Sequence, residues 1–409
     1  MYLSLEGRVM DFKIIGSILL IVGTSIGAGM LALPIATAQL GFIGSLILLV
    51  VCWSVMTAGA FLILEVNLWM PQNSNLISMA KATMGPVGQI ISWVFYLLLL
   101  YSLLCAYISG GSGLFHNLLL ACHFDVSQTW SSIIFTLLFG LVVFLGIRSI
   151  DYVNRGLMFV KLGAYILLII LLTPFISTSK LFAGDLSQLT ATSAMTVTIT
   201  SFGYASIIPS LRIYFASDLR KLKIAIIIGS LVPLICYAFW DAIIMGVIPL
   251  DGANGLITIL HSSKNSTSDL VNTLSATASK ESITIFARLF TSICVVTSFL
   301  GVSLCLTDFL SDGLNLTKQG NSNLFLHALT FLPPLIIVIF FPNAFIKALE
   351  YAGIYCIILL ILLPAWMAWM GRYRRHLAKA SQYQFFGGKT FLLLMMIFGV
   401  AMLIKSMVN

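Results

Sequence analysis

A run of small and polar residues at positions 23–29 interrupts a long apolar stretch near the start of the chain, and Pro34 follows it. The run reads Gly23-Thr24-Ser25-Ile26-Gly27-Ala28-Gly29. Each glycine costs a helix about 1 kcal/mol relative to alanine, so three of them predict an unwound segment. The alternative is a close helix-packing face, because Gly23 and Gly27 have the Gly-x-x-x-Gly spacing.

A second run of the same character precedes Pro209 and reads Ser201-Phe202-Gly203-Tyr204-Ala205-Ser206. Unwinding frees N–H groups and carbonyls, which lipid tolerates only where they line a cavity or bind a ligand. Their partial charges favour opposite ligand charges. An amino acid zwitterion supplies both charges, which favours an amino acid over a sugar or a metal ion. We expect its carboxylate at the N–H groups of Gly27, Ala28 and Gly29, and its ammonium at the carbonyls of Gly23, Thr24, Ser201 and Phe202.

These runs lie in a chain whose composition excludes an aqueous fold. Hydrophobic residues make up 59% of its 409 residues and charged residues 9%, against roughly 25% charged residues in a soluble domain. Apolar runs of about 20 residues, the length that spans a bilayer, recur along the chain. We therefore predict an all-α integral membrane protein of about eleven spans. They are numbered helix 1 to helix 11 and lie at 12–38, 42–69, 88–118, 130–147, 156–176, 190–215, 223–248, 284–310, 323–341, 347–370 and 389–407.

The two runs fall in helices 1 and 6, which are five spans apart. Because five is odd, the second set of helices must lie in the membrane upside down relative to the first. Paired interrupted helices at matching positions indicate an inverted-repeat transporter with its site at the midplane. The prediction is a single domain over 1–409, with repeats at 12–176 and 190–370 and helix 11 at 389–407 as an addition.

The net charge of +8 reflects membrane orientation rather than nucleic acid binding, because the basic residues lie in short loops between spans. With the N-terminus inside, 16 of the 22 Lys and Arg residues are cytoplasmic and six are outside. We therefore expect the inner membrane, a cytoplasmic N-terminus and a periplasmic C-terminus. The seven cysteines and five histidines have no metal-site spacing, so neither a metal nor a cofactor is expected.

An ordered set of motifs resembles one known family, the hydroxy and aromatic amino acid permeases of the amino acid–polyamine–organocation superfamily, and most closely its tyrosine-specific branch. The resemblance covers nearly the whole chain. Its motifs are Gly23–Ala32, Leu64-Glu65-Val66, Ala106-Tyr107-Ile108-Ser109-Gly110, Thr200-Ser201-Phe202-Gly203, Pro209-Ser210, Arg220-Lys221-Leu222, Ser298-Phe299-Leu300-Gly301-Val302, Asp308 and Tyr351-Ala352-Gly353.

The resemblance implies a LeuT-type fold with five-plus-five inverted repeats, and proton symport of an aromatic amino acid: tyrosine first, then tryptophan or phenylalanine. It also implies that Phe202 or Tyr204 can cover the substrate, although bundle packing is an alternative for both. Tyrosine and tryptophan permeases carry a His directly after the aromatic residue of the helix 6 motif, whereas Ala205 stands here. Small residues at Ser25, Gly110, Gly203 and Ala205 would leave room for a ring.

The resemblance further implies that Lys161, in the otherwise apolar helix 5, couples transport to protons. Its ammonium would reach carbonyls freed near Gly23 and the hydroxyl face of helix 8, where sodium-coupled relatives of this fold hold their ion. Burial favours the neutral amine, so a proton could leave during the cycle. The alternative is that Lys161 extends its charge to the cytoplasmic interface.

Other polar residues at membrane depth are candidates as well. Tyr107 is preferred over Tyr101 as a pocket residue, and Ser298 could line the pocket or bond back to its own helix. Glu65 and Asp308 are expected in a salt bridge or an inner gate rather than as proton carriers. Asp241 lies within helix 7 and receives no role.

Three alternatives remain beside an aromatic amino acid importer. A serine- or threonine-type proton symporter differs only in the pocket. A channel or a transporter-derived sensor would not need two inverted halves. An enzyme is not expected, because no nucleophile–base set is present. The expected partners are the amino acid, protons and the lipid bilayer, and the sequence does not predict the oligomeric state.

Overall fold

The structure of the protein is a computed structural model, and it describes residues 2–145, 147–215, 218–261, 266–278, 280–377 and 383–408. These residues form helices and their connections, with no strand among them. The helices match the predicted spans in order, and three of them have more than one segment. Their bounds are Tyr2–Ser25 with Ala28–Ala36 (helix 1), Gly41–Leu68 (2), Pro86–Ala121 (3), Gln128–Phe144 (4), Ile147–Leu172 (5), Thr192–Ser201 with Gly203–Ile207 and Ile208–Tyr214 (6), Leu219–Val247 (7), Glu281–Leu314 (8), Gly320–Phe340 (9), Ala344–Cys356 with Ile357–Leu362 and Leu363–Tyr373 (10) and Gly388–Val408 (11).

The number of membrane-spanning helices follows from their length and composition. Within the described residues, nine helices are long and apolar enough to cross a bilayer, and the two segments of helix 1 make a tenth, broken span. Helix 4 is apolar but only 17 residues long, whereas the sequence predicted 130–147. The all-helical membrane architecture is confirmed, and the count of eleven stays a prediction.

Side-chain caps and prolines account for several helix ends and irregularities. Asp218 accepts hydrogen bonds from the backbone N–H groups of Arg220 and Lys221 and so begins helix 7. In helix 9, Pro333 has no N–H to donate to the carbonyl of Leu329. The hydroxyl of Tyr101 in helix 3 donates to that carbonyl at 2.8 Å and joins the two helices.

The connection between helices 7 and 8 contains two short helices that the sequence did not predict, Leu256–His261 and Ser266–Ala278. The second packs against helices 3 and 8, and Thr267 donates a 3.0 Å hydrogen bond to the carbonyl of Gly110. Every residue of the second segment of helix 1, Ala28–Ala36, is buried in the centre of the bundle. The side of the bundle that contains Ala28–Ala36 is therefore closely packed.

Candidate functional site

Helix 1 breaks at Ile26 and Gly27, inside the predicted run. The axes of its two segments differ by 51°, and Gly27 has an extended backbone with φ −147° and ψ −152°. The N–H of Ala28, at the start of the second segment, donates a 3.0 Å hydrogen bond to the hydroxyl of Ser298 in helix 8. A Cβ on Gly27 would collide with that hydroxyl, so glycine allows helix 8 to approach the break. The predicted discontinuity of helix 1 is confirmed.

Helix 6 is also interrupted where the sequence predicts. Its first segment ends at Ser201, and the 3₁₀ turn Gly203–Ile207 leads into the last segment, Ile208–Tyr214. A Cβ on Gly29 would lie 3.1 Å from the Ser201 hydroxyl oxygen. The two broken helices therefore meet directly at their breaks.

The carbonyls that end the first segments of helices 1 and 6 converge on one hydroxyl group. The buried Tyr237 of helix 7 places its oxygen 2.6 Å from the carbonyl oxygen of Ser25 and 2.8 Å from that of Ser201. The hydroxyl has one hydrogen, so it donates to one carbonyl at a time. Two negative helix ends thus face one buried point.

Tyr237 was not among the predicted site residues. It lies in a mostly apolar helix, one turn after Pro233, and that proline is the local signal that precedes it; the tertiary fold brings it to the breaks. The ring of Phe202 packs edge-on against it at a centroid distance of 5.2 Å. Phe202 is fully buried in this arrangement.

Lys161 reaches the break in helix 1 from helix 5. Its side chain is 1% exposed, and its ammonium donates to the carbonyl of Ile26 at 2.7 Å and lies 3.5 Å from the hydroxyl oxygen of Thr297. The carbonyl is that of Ile26, three residues beyond the predicted Gly23, and the hydroxyl belongs to helix 8 as expected. An ammonium so deeply buried does not extend to a membrane interface.

Helices 3 and 10 complete the surroundings of the breaks. The side chain of Tyr107 interacts with Ser298 and lies near Cys356 of helix 10, whereas Tyr101 is engaged by helix 9. A Cβ on Gly203 would lie 3.8 Å from the sulfur of Cys356. Helices 3, 6, 8 and 10 therefore meet beside the broken segments.

Two predicted residues have side chains directed elsewhere. Thr24 is exposed, and its hydroxyl donates back to the carbonyls of Leu20 at 3.1 Å and Ile21 at 2.8 Å. Tyr204 donates its hydroxyl to that of Thr57 in helix 2 at 2.9 Å. Thr24 could therefore bind substrate only through its backbone. The Tyr204 hydroxyl is bound to helix 2 in this conformation.

Glu65 and Asp308 are both in ion pairs, as expected, but in different environments. Glu65 is fully buried and accepts two hydrogen bonds, of 2.8 and 2.5 Å, from Arg372 at the end of helix 10. The N–H of Phe385 donates a third at 2.8 Å. Asp308 pairs with Lys318, and both side chains are about half exposed. The Glu65 pair is thus an internal connection between helices, whereas the Asp308 pair lies at a surface.

One face of helix 8 is accessible next to the site. Ser298, Gly301 and Cys305 share this face, since they are three and seven residues apart. Ser298 is half-buried, whereas Gly301 and Cys305 are exposed. The opposite face is buried at Ser303 and Thr307.

The exposed face of helix 8 is the one that meets helix 1. Helix 1 is also accessible on its first segment, at Leu20 and Thr24, whereas its second segment is wholly buried. The site is therefore closed toward the second segment, whereas residues of the first segment and of helix 8 are accessible on the other side.

Comparison with known proteins agrees with this geometry. The model of the tryptophan/tyrosine permease family matches residues 10–406. Tyrosine-specific transport system 1 of Haemophilus influenzae is 34% identical, with 95% of each chain covered. Glutamine transporter 2 of Aliivibrio fischeri is 32% identical, covering 97% of this chain and 100% of that protein. A tryptophan-specific transport protein of H. influenzae is 30% identical over 95% of this chain and 94% of its own.

A solved structure shares the fold. The crystal structure of MhsT in complex with L-phenylalanine superposes with a TM-score of 0.63 at 13% sequence identity, covering 96% of this chain and 97% of that chain. This likeness confirms the predicted LeuT-type fold. The relatives found by sequence are transport proteins rather than enzymes. With broken helices 1 and 6 at its centre, this chain belongs to the tryptophan/tyrosine permease family.

Proposed function

We propose that this permease imports an aromatic amino acid, tyrosine first and then tryptophan or phenylalanine, by proton symport and alternating access. The observation that carries the proposal is the meeting of the two broken helices at Tyr237, beside the buried ammonium of Lys161. Helix ends of both signs beside one buried point match an amino acid zwitterion.

The two charged groups of the substrate have different places in this scheme. The carboxylate binds the N–H groups of Gly27, Ala28 and Gly29, where Ser298 now accepts a hydrogen bond. The ammonium binds the carbonyls of Ser25 and Ser201, which the Tyr237 hydroxyl approaches. Of the four carbonyls proposed from the sequence, this scheme keeps that of Ser201, and it replaces those of Gly23, Thr24 and Phe202 with that of Ser25.

The aromatic substrate is supported by the named relatives and by the small residues beside the break. Tyrosine and tryptophan transport proteins are similar over nearly the full length. Gly203 and Ala205 add little volume, and Phe202 and Tyr107 are aromatic residues close to the break that could pack against an aromatic side chain.

A polar substrate is the second candidate. Glutamine transporter 2 is nearly as similar to this chain as the tyrosine system is. Ala205 also replaces the His that the aromatic permeases carry. A glutamine, serine or threonine symporter would use the same backbone groups and differ in the side-chain pocket.

Proton coupling is proposed from the place of Lys161. The charged amine binds the Ile26 carbonyl and holds the end of the first segment of helix 1. Loss of its proton weakens that hydrogen bond, since a charged donor binds about twice as strongly as a neutral one. The first segment can then move, which links proton release to a change of access.

The proposed orientation has the N-terminus in the cytoplasm and the C-terminus in the periplasm of the inner membrane. The 16 basic residues on one side support it. The exposed faces of helices 1 and 8 then open to the cytoplasm. Helices 1–5 (12–176) and helices 6–10 (190–370) are the two inverted repeats, and helix 11 (389–407) is an addition.

The test is uptake of labelled amino acids into liposomes that contain the purified protein. Tyrosine should accumulate when the inside is alkaline, and a protonophore should abolish the accumulation. Uptake that ignores the pH gradient would contradict proton symport, and preferential uptake of glutamine or serine would contradict an aromatic substrate.

A further inference from the structure

Helix 7 carries a buried carboxyl group to which the transport scheme gives no role. Asp241 lies one turn beyond Tyr237, toward the closed side, and is fully buried. One of its oxygens accepts a 2.5 Å hydrogen bond from the hydroxyl of Ser45 in helix 2. The other oxygen has no hydrogen-bond partner within the described residues.

The helices packed against this part of helix 7 offer Asp241 no counter-charge. The second segment of helix 1, Ala28–Ala36, has no titratable residue. The only charged residue of helix 2 is Glu65, which follows Ser45 by 20 residues, or about 30 Å along the helix. Among the described residues, these two segments therefore place no positive charge beside Asp241.

The titratable side chains of helix 5 and of the closed side either bind other groups or carry a negative charge like that of Asp241. Tyr165 interacts with Asp241 but donates its hydroxyl to the carbonyl of Cys236 at 2.9 Å. Lys161 is held by helix 1. Lys180 donates to the carbonyl of Val247 at 2.7 Å, six residues beyond Asp241. Asp269 of the short helix Ser266–Ala278 carries the same charge sign as Asp241.

An ionised carboxylate in such a place is strongly disfavoured. A buried charge without a counter-charge costs far more than a buried neutral acid. A protonated carboxyl group adds a donor, so Asp241 and Ser45 can share hydrogens over their short contact. The species that fits this site is a proton.

We propose that Asp241 is a proton-binding site, separate from Lys161, that joins helix 7 to helix 2 while the side toward Ala28–Ala36 is closed. When these helices separate, water reaches the carboxyl group, the O–H bond breaks and the proton passes to that water. On closing, the carboxylate takes a proton back and its O–H bond forms again. The role in gating rests on the proposed transport function, whereas the bound proton does not.

The bound proton can be detected by infrared spectroscopy of the purified protein in deuterated buffer. The carbonyl stretch of a protonated carboxyl group should be present at neutral pH, and part of it should disappear in Asp241→Asn. Asp308→Asn is the matched control, because that carboxylate is half exposed and paired with Lys318. An unchanged band in Asp241→Asn would overturn the proposal.

Wild-type protein alone also provides a test, should the asparagine variant fail to fold. The band should decrease on alkaline titration, and a pH-independent band would contradict an exchangeable proton. Suppose that part of the band disappears in Asp241→Asn but wild-type protein shows no pH-driven uptake. That result would support the proton site and contradict symport. The two proposals are therefore separable.

The effect on gating appears in counterflow at equal pH on both sides. Once the carboxyl group is mostly ionised, its protonated fraction falls about tenfold for each further pH unit, and wild-type exchange should fall with it. Asp241→Asn mimics the neutral acid, so its exchange should stay level over the same range. A parallel decline in both proteins would overturn the gating role.

Discussion

The ammonium of Lys161 lies 2.7 Å from the carbonyl oxygen of Ile26, the residue at which helix 1 breaks. Breaking the helix leaves carbonyls without an intrahelical donor, and a buried carbonyl without a partner is costly. Lys161 supplies the donor together with a positive charge. Through this contact, helix 5 holds the end of the first segment of helix 1.

Replacing Lys161 should abolish the pH-driven accumulation of substrate but not the exchange of substrate across the membrane. Lys161→Ala should abolish pH-driven accumulation in liposomes while counterflow persists at a reduced rate, because the substrate contacts remain. Lys161→Arg should also fail to accumulate, since guanidinium does not release its proton at neutral pH. Lys180→Ala, which removes another lysine-to-carbonyl bond, is the control and should accumulate normally. Full pH-driven accumulation by Lys161→Ala would refute the role of this residue.

The break itself was predictable from sequence because glycine acts locally. Gly27 is required where Ser298 approaches the backbone, and Gly29 where Ser201 does. The Ile26 carbonyl as the lysine partner was not predictable to the residue. That choice depends on where the 51° bend falls, and the sequence does not specify that position to the residue.

Removing the Tyr237 hydroxyl should weaken substrate binding. The Tyr237 hydroxyl donates to one carbonyl at a time and holds those of Ser25 and Ser201 close together, so in Tyr237→Phe the two carbonyls move apart and no longer face the ammonium jointly. We expect binding about tenfold weaker, which corresponds to about 1.4 kcal/mol. Binding to detergent-solubilised protein measures this effect.

Tyr165→Phe is the matched control, because that hydroxyl donates to a helix 7 carbonyl away from the breaks. Its substrate affinity should remain near wild type. Equal losses in the two variants would mean that the Tyr237 hydroxyl stabilises the bundle in general rather than the binding geometry.

Enlarging Ala205 should discriminate among substrates. Ala205 is fully buried next to the helix 6 break, so a leucine there fills space that a ring would need. Ala205→Leu should reduce tyrosine uptake several-fold more than serine uptake. Ala194→Leu, at a buried position in the first segment of helix 6, controls for overpacking, which costs about 1–3 kcal/mol. If Ala205→Leu reduced the uptake of all substrates by the same factor, the result would argue against a pocket at this position.

Breaking the Glu65–Arg372 pair should destabilise the protein more than breaking the surface pair. Glu65→Gln leaves a buried guanidinium uncompensated, at a cost of about 3–5 kcal/mol. Asp308→Asn should cost at most about 1 kcal/mol. Thermal unfolding in detergent compares the two variants. Similar melting temperatures for both would contradict the structural importance of the internal pair.

Arg372 and Tyr237 illustrate what the sequence could not provide. Glu65 was recognisable because a carboxylate inside a span needs a partner. The identity of that partner required the fold, since Arg372 lies 307 positions away and stood among many cytoplasmic basic residues. Thr24 fitted the broken run by type, but only the helical phase reveals that its side chain is exposed.

Competition among amino acids for pH-driven tyrosine uptake in liposomes tests the central claim most directly. The account predicts accumulation of labelled tyrosine that a protonophore abolishes. It also predicts that tryptophan and phenylalanine displace the label more effectively than glutamine, serine or threonine. Accumulation that follows a sodium gradient and ignores pH, or stronger displacement by glutamine or serine, would contradict it.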